Sequence, residues 1–415
     1  MITTCRISGL PLTQVADFGN LYVSDFFPEV RPDALRSPLR LGIGQDSGLL
    51  QLMDTVERDS LYRQYWYASG TNATMTRQLA DIVAVIPNWV RLRESDVVLD
   101  IGCNDGTLLR QYPAETKVVK VGIDPAVNLA EQGRAHCDLH ANDYFTSEVF
   151  LPLTGGRRAK VITSIAMFYD LDDPSAFVED IRECLADDGI WIVQMSYTPL
   201  MMTQNAFDNV IHEHLEYYSL LSVDHLVRKH GLKILDVEFN DTNAGSFRLV
   251  ITPEGNSVSQ AALFNRDIGR YRYESVLSHE RHGRFDDPQV CVDFMARVAS
   301  LKAQTLELLN DLKRRGKKVF GYGASTKGNT LLQYYGIGPD LVQGVAERQE
   351  RKYGLLCAGS WIPIFSEAEV RAQKPDYMLV LPWHFINEFV ERERDYLRGG
   401  GRFIVPLPEL KVIGG

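Results

Sequence analysis

The stretch VVLDIGCNDGTLL, from Val97 to Leu109, decides the fold of this chain. An apolar run ends in Asp100, Gly102, Asn104 and Gly106 follow at tight spacing, and an apolar helix start comes next. The order is strand, glycine turn, helix. Glycines there let the backbone approach a ligand closely, at the carboxyl end of the strand. The sequence G-C-N-D-G lacks the third glycine of the dinucleotide fingerprint G-x-G-x-x-G.

The periodicity on either side extends this unit into an α/β series. Strand Val118 to Ile123 ends in Asp124 and leads to a helix through Ala130. Strand Lys160 to Ile165 precedes a helix at Pro174 to Leu185, and strand Gly189 to Met195 follows. A helix around Leu221 to His230, strand Lys233 to Phe239, a turn at Asn243, Gly245 and Ser246, and strand Phe247 to Thr252 complete the series. Upstream, residues 1–72 read as loop-rich and end in an aromatic cluster, Tyr62, Tyr65, Trp66 and Tyr67; a helical pattern starts at Thr74. Downstream, two long helices span about Ser259 to Leu277 and Cys291 to Arg314. A second α/β unit begins with strand Val319 to Gly321, which runs into a turn at Gly321 to Asn329; strands Leu341 to Val345, Tyr377 to Leu381 and Arg402 to Val405 follow. Two such units suit a ligand held in the cleft between them.

Composition bounds the function. A chain of 415 residues is too long for one ordinary core, and 45% apolar with 24% charged residues is normal for a globular protein. No apolar run reaches the roughly 20 residues of a membrane span, and MITTCRISGL lacks the apolar core of a signal peptide. A net charge of -10 disfavours a nucleic-acid backbone as partner. Six scattered cysteines without a C-x-x-C pair indicate neither a disulfide framework nor a zinc ribbon, so reduced thiols in the cytoplasm are expected.

Three signals carry chemistry. The Asp100 turn resembles the first motif of S-adenosylmethionine (SAM)-dependent methyltransferases with a Rossmann-like fold. In that likeness Asp100, Gly102, Asn104 and Gly106 surround the methionyl end of SAM, Asp124 beside Pro125 takes both ribose hydroxyls, and Asp143 with Tyr144 meets the adenine. The second signal is AFDNVIHEHLEYYS, Ala206 to Ser219. Glu216 stands where H-E-x-x-H would have its second histidine, so a zinc protease is not indicated. A histidine titrates near the working pH and suits general-base work, with Glu213 or a neighbour orienting the ring. The third is the turn Gly321 to Asn329, where a helix start and Lys327 suit a phosphate; it lacks the G-K-[ST] ending of a Walker A loop.

Taken over nearly its whole length, the chain resembles the sugar C-methyltransferases that methylate nucleotide-linked keto-deoxysugars, such as those of tetronitrose, mycarose and noviose biosynthesis. YWYASGTNATM, LDIGCNDGTLL, FDNVIHEHLEYYS, NAGSFR, GYGASTKGNTLLQY, AERQERKYG and LPWHFINE carry the likeness. It implies an α/β protein of three parts: an N-terminal lobe (1–72), a central Rossmann-like SAM domain (73–252) and a C-terminal Rossmann-like substrate domain (253–415). His214 matches the base and Glu213 its neighbouring carboxylate. The base removes a proton beside a ketone, and the enolate takes the methyl group of SAM. A donor must stabilise the oxyanion; His212, Tyr217, Tyr218 and Tyr169 are candidates, with Tyr169 and Tyr218 set beside the two catalytic residues. Tyr65, Tyr67 and Ser69 join the SAM site. His212, Tyr217, Ser246, Arg248, Tyr322, Lys327, Asn329, Arg348, Lys352, Trp383 and His384 are expected around the nucleotide sugar. No nucleic-acid or membrane partner is expected, and the protein is expected to be a monomer or small homo-oligomer.

Three departures from the family pattern stand out. Its lobe binds zinc through two C-x-x-C-G motifs, which here read Cys5-Arg6-Ile7-Ser8-Gly9 and Gly44-Gln45-Asp46-Ser47-Gly48. One thiolate of four remains, and a tetrahedral site needs four ligands, so no metal is expected. Ile211 replaces a tyrosine common before His-Glu-His, and Tyr169 a histidine. Alternatives are O- or N-methylation of a nucleotide sugar, an NAD-dependent oxidoreductase using Gly321 to Gly328, and a non-catalytic sugar-nucleotide binder.

Overall fold

The computed structural model describes residues 1–63, 68–71, 73–256 and 263–414; Tyr65 and Tyr67 lie outside them. A seven-stranded sheet forms the centre, in the order 232–240, 246–253, 185–196, 159–165, 97–101, 119–123, 139–141. The five strands from 97–101 to 185–196 pair in parallel, and Ser246–Pro253 runs antiparallel to Leu185–Ser196. The strand Val97–Ile101 is buried throughout because it is central and covered on both faces. One face carries Phe150, Ile162, Phe168 and Trp191; the other carries Ile82, Ile86, Val98 and Leu109.

The Gly106 turn does not lead into the expected α-helix. Leu109–Gln111 makes one 3-10 turn, then Tyr112 turns extended with ψ 127 before Pro113. A residue that precedes proline is driven out of the α region. Strand Leu139–Ala141, helix Ser147–Leu153 and helix Thr198–Thr203 add to the expected elements.

The N-terminal segment is a sheet rather than a set of loops. Leu12–Tyr22, Arg36–Gly44 and Leu50–Leu52 pair antiparallel, and Glu216–Tyr217, which follows His-Glu-His, joins them as the fourth strand. Its two knuckles keep the turns of the zinc motif. Gly9 N–H donates to Cys5 O (2.8 Å) and Gly48 N–H to Gly44 O (2.8 Å), with both glycines at positive φ. Cys5 Sγ meets Ser47 Oγ at 3.2 Å, and a Cβ at Gly44 would stand 2.9 Å from that sulfur. Positions 5, 44 and 47 therefore converge, holding one thiol, one hydroxyl and no side chain.

Helix Leu263–Gly283 lies beyond the expected boundary at 252, yet it packs against strand Leu232–Asn240 and ties itself to the central unit. Glu280 accepts from Tyr197 Oη (2.7 Å) and from the Leu220 and Leu221 N–H groups (2.7 and 2.8 Å), and so holds the start of helix Leu220–Lys229. Helix Pro288–Arg314 instead shares a core with the N-terminal sheet and the C-terminal one. The C-terminal sheet orders 364–366, 345–347, 319–322, 377–380, 402–405, 411–413. Its second strand is Val345–Glu347, displaced from the expected Leu341 to Val345; Leu341 and Val342 are buried in the turn after Gly338. Phe26–Phe27 pairs with Leu356–Cys357, so the lobe is bonded to both other parts.

Candidate active site

One cleft of about 1210 Å³ opens over the carboxyl ends of the central strands, lined by all three parts of the chain. Its floor is the Asp100 turn. Gly102 and Gly106 take φ of 70 and 76, which glycine adopts without strain, and Asn104 takes 54. Asp100 accepts from Thr163 Oγ1 at 2.6 Å; burial pushes its carboxyl up to about 7 despite that bond. Asp124 caps the next strand, with one oxygen accepting Asn104 N–H and the other Ala126 N–H, each at 2.8 Å. Burial raises it too. Ser69 N–H donates to Asn104 Oδ1 (3.0 Å) and seats the entry loop on this turn.

Asp100, Gly102, Asn104, Asp124, Pro125, Ser69 and Tyr144 all line the cleft. Gly106 lies behind it, where a Cβ would stand 2.8 Å from His136 Cβ. Asp143 is exposed and bonded to the Tyr144 N–H, so it does not line the cleft. The Tyr144 hydroxyl donates to Asp59 (2.8 Å), and the Arg58 guanidinium lies 4.0 Å over its ring. These residues fit SAM: carboxylates end two adjacent strands, the positive-φ turn brings backbone close, and buried acids suit a sulfonium cation.

The opposite wall comes from the His-Glu-His loop. His214 Nδ1 lies 2.9 Å from the Asn209 carbonyl oxygen. A carbonyl only accepts, so Nδ1 carries the proton and Nε2 keeps its lone pair. The ring packs on Tyr169, centroids 4.3 Å apart. Burial, then the nearby Lys327 ammonium, lower His214 to about 3. Glu213 also lines the cleft; burial pushes it up to about 7, and its Oε2 has no hydrogen-bond partner among the described residues. Tyr169 fixes the loop, its carbonyl accepting from Leu215 and Glu216 N–H at 2.7 and 3.0 Å. His212 Nε2 instead lies 3.0 Å from Ser37 O, pinning the loop to the lobe. Tyr218 stacks on Phe168 at 5.0 Å, and Tyr217 is buried in the four-stranded sheet; neither reaches the cleft.

Of the residues expected around the sugar, Lys327 lines the cleft. The others do not line it, and most of them serve internal hydrogen bonds. Arg248 donates to Gln194 and Asp81, each at 2.9 Å, and Ser246 Oγ to Thr242 O at 2.9 Å. Tyr322 donates to Glu393 at 2.7 Å and accepts from Arg392. Asn329 Nδ2 donates to Asp25 O (3.0 Å) and Lys352 Nζ to Ala324 O (2.8 Å). Trp383 Nε1–H donates to the buried Asp208 (3.0 Å), His384 packs 4.2 Å from Phe385, and Arg348 is exposed. In their place the cleft shows Arg31, Arg58, Asp170, Arg351 and Phe385. The lobe arginines had no signal in sequence, because they reach the site through docking of the lobe rather than through a local motif.

Residues 71–237 match the family model of a methyltransferase domain, and residues 241–408 that of a C-methyltransferase C-terminal domain. The chain is 30% identical over 377 residues to the C-methyltransferase NovU of Streptomyces niveus, covering 91% of this chain and 87% of NovU. Among solved structures, a SAM-dependent methyltransferase from Clostridium acetobutylicum shares 13% identity over 43% of this chain and 92% of its own, with a TM-score of 0.33. Magnesium protoporphyrin IX methyltransferase from Synechocystis, with SAM bound, shares 11% over 43% and 79%, with a TM-score of 0.32. With a methyltransferase domain, a C-methyltransferase C-terminal domain and near full-length similarity to NovU, the chain belongs to the C-methyltransferase family and is a SAM-dependent enzyme.

Proposed function

We propose that the enzyme methylates a carbon adjacent to the ketone of a nucleotide-linked keto-deoxysugar through a base-generated enolate. The single observation behind this is the tautomer of His214. Its Nδ1–H is held by the Asn209 carbonyl, so the Nε2 lone pair is the basic one, in a cleft shared with the Asp100 turn. Carbon methylation requires a C–H proton to leave first, and a fixed neutral imidazole is suited to take it. His214 is the base, and Tyr169 and Glu213 complete its wall of the cleft. Asp100, Gly102 and Asn104 hold the amino-acid end of SAM and Asp124 its ribose. SAM, when bound, supplies the electrophilic methyl group.

The nucleotide linkage rests on the likeness to the deoxysugar enzymes and on Arg58 and Arg351 in the cleft, since guanidinium groups suit a diphosphate. Six unpaired cysteines support a reducing, cytoplasmic setting. No helix among the described residues is long and apolar enough to cross a membrane. Proton exchange in heavy water tests the reading, with a nucleotide-linked 4-keto-6-deoxyhexose supplied in dTDP and GDP forms. Enzyme-dependent deuterium at the carbon beside the ketone is expected. Methylation without exchange, at oxygen or nitrogen, would overturn it.

A further inference from the structure

His214, in the loop before Glu216–Tyr217, and Lys327, in a helix of the C-terminal part, are held by one residue. The backbone oxygen of Asn209 takes the His214 Nδ1 proton, and its side-chain oxygen takes the Lys327 ammonium. Lys327 stands in the first turn of helix Thr326–Tyr335, whose start faces the cleft. One of its three donors is used by Asn209, and it makes no salt bridge among the described residues. The carboxyl that acts on it, Asp208, is bound by Trp383 Nε1–H and pushed up to about 6 by burial. Burial lowers the Lys327 pKa and Asp208 offsets this only in part, so an anionic group brought against the ammonium completes its neutralisation and favours the charged form.

Of the other donors weighed for the substrate ketone, Tyr169 lines the cleft with its ring packed on His214, and the remaining three are turned elsewhere. His212 faces Ser37, Tyr218 packs on Phe168, and Tyr217 is in the four-stranded sheet. We propose that Lys327 is a catalytic residue whose ammonium binds the ketone oxygen and stabilises the enolate formed as His214 Nε2 takes the neighbouring C–H proton. The C–H pair becomes the new C=C bond, the C=O π pair moves onto oxygen, and the proton ends on Nε2. Imidazolium and enolate form together, so the site gains no net charge in the step. A fixed cation at the developing oxyanion, away from water, is the arrangement that lowers such a barrier most. This assigns Lys327 to the reacting carbonyl rather than to a phosphate, and it rests on the enolate reading above.

The same cation also acts on the base. Tyr169, against the His214 ring, and Lys327, Glu213, Asp170, Asp25 and Tyr62 are among the titratable groups that line the cleft with it, and Lys327 helps to keep it neutral. Wild type, Lys327→Met and Lys327→Arg separate the possibilities. Deuterium exchange is read on dTDP-4-keto-6-deoxyglucose, and the histidines, labelled with nitrogen-15, are titrated without substrate. Lys327→Met is expected to slow exchange roughly 10²–10³-fold, to raise the pKa of His214, and to bind S-adenosylhomocysteine like wild type. Lys327→Arg keeps part of the exchange, which excludes an imine to the lysine. Near-normal exchange in a Lys327→Met protein that binds S-adenosylhomocysteine overturns the proposal alone. No exchange in wild type overturns the enolate reading and the proposal with it. If Lys327→Met fails to bind S-adenosylhomocysteine, Lys327→Arg decides: exchange and a low His214 pKa support the electrostatic role, and loss of both overturns it.

Discussion

Replacing His214 by asparagine changes stability in a way that depends on pH, and the size follows from its surroundings. In the unfolded chain the imidazole titrates near 6.5; in the cleft, burial and Lys327 lower it to about 3. The folded state therefore binds fewer protons than the unfolded one between those values. Its contribution is whole above about pH 6.5 and is lost as pH falls toward 3. At pH 5 the shift predicts a loss of about 2 kcal/mol relative to pH 8. Asparagine does not titrate, so His214→Asn should gain about 2 kcal/mol on wild type when both are moved from pH 8 to pH 5. Urea unfolding of the two proteins at each pH measures this, and other titrating groups cancel in the comparison. A difference that stays constant within about 0.5 kcal/mol would show that His214 titrates normally, and would remove the case for a permanently neutral base. The same variant should keep SAM binding and lose roughly 10²–10⁴-fold in turnover.

Asp124→Ala should weaken SAM by roughly 1.5–3 kcal/mol, the worth of charge-assisted hydrogen bonds; calorimetry showing unchanged affinity would take Asp124 out of the site. Glu280→Ala leaves the Tyr197 hydroxyl and two helix-start N–H groups without their acceptor, so a loss of at least about 3 kcal/mol is expected in urea unfolding, and a loss under about 1 kcal/mol would mean that water replaces it. Wild type is expected to hold no zinc by elemental analysis, whereas Ser8→Cys, Gly44→Cys and Ser47→Cys combined should bind one ion per chain, because the two knuckles keep their turns. Failure of the triple variant to bind zinc would mean that the knuckles have drifted out of register.

Legibility in the sequence follows burial and length. Val97–Ile101 stands where the apolar run placed it, since a strand covered on both faces has only one apolar reading. The eleven-residue strand Leu12–Tyr22 escaped notice because one face is wet and bulges break its alternation. Glu216–Tyr217 is two residues long and exists only through its partner Leu50–Leu52. The cleft residues that sequence foretold, Asp100, Asp124 and His214, lie at strand ends or in a dense titratable motif. The polar residues of NAGSFR and GYGASTKGN carried the same kind of signal, yet Arg248 and Asn329 serve internal bonds. Residue type in a motif does not separate a side chain that meets a ligand from one that satisfies a neighbour; only the fold does.

That distinction matters most for the loop from Phe207 to Tyr217. The lobe holds it by the Glu216–Tyr217 pairing and by His212 on Ser37. The central sheet holds it through the Tyr169 carbonyl. The C-terminal part holds it through Trp383 on Asp208 and Lys327 on Asn209. A base whose ring must point one nitrogen into a cleft needs its backbone fixed on every side, because a slip of about 1 Å costs orders of magnitude in rate. A loop of this length has too few internal bonds to fix itself. Contacts from all three parts supply the constraint, and the one from the C-terminal part also brings the cation that, after burial, helps to keep the imidazole neutral. The proposed base and its electrostatic setting are thus products of assembly rather than of the central sheet alone.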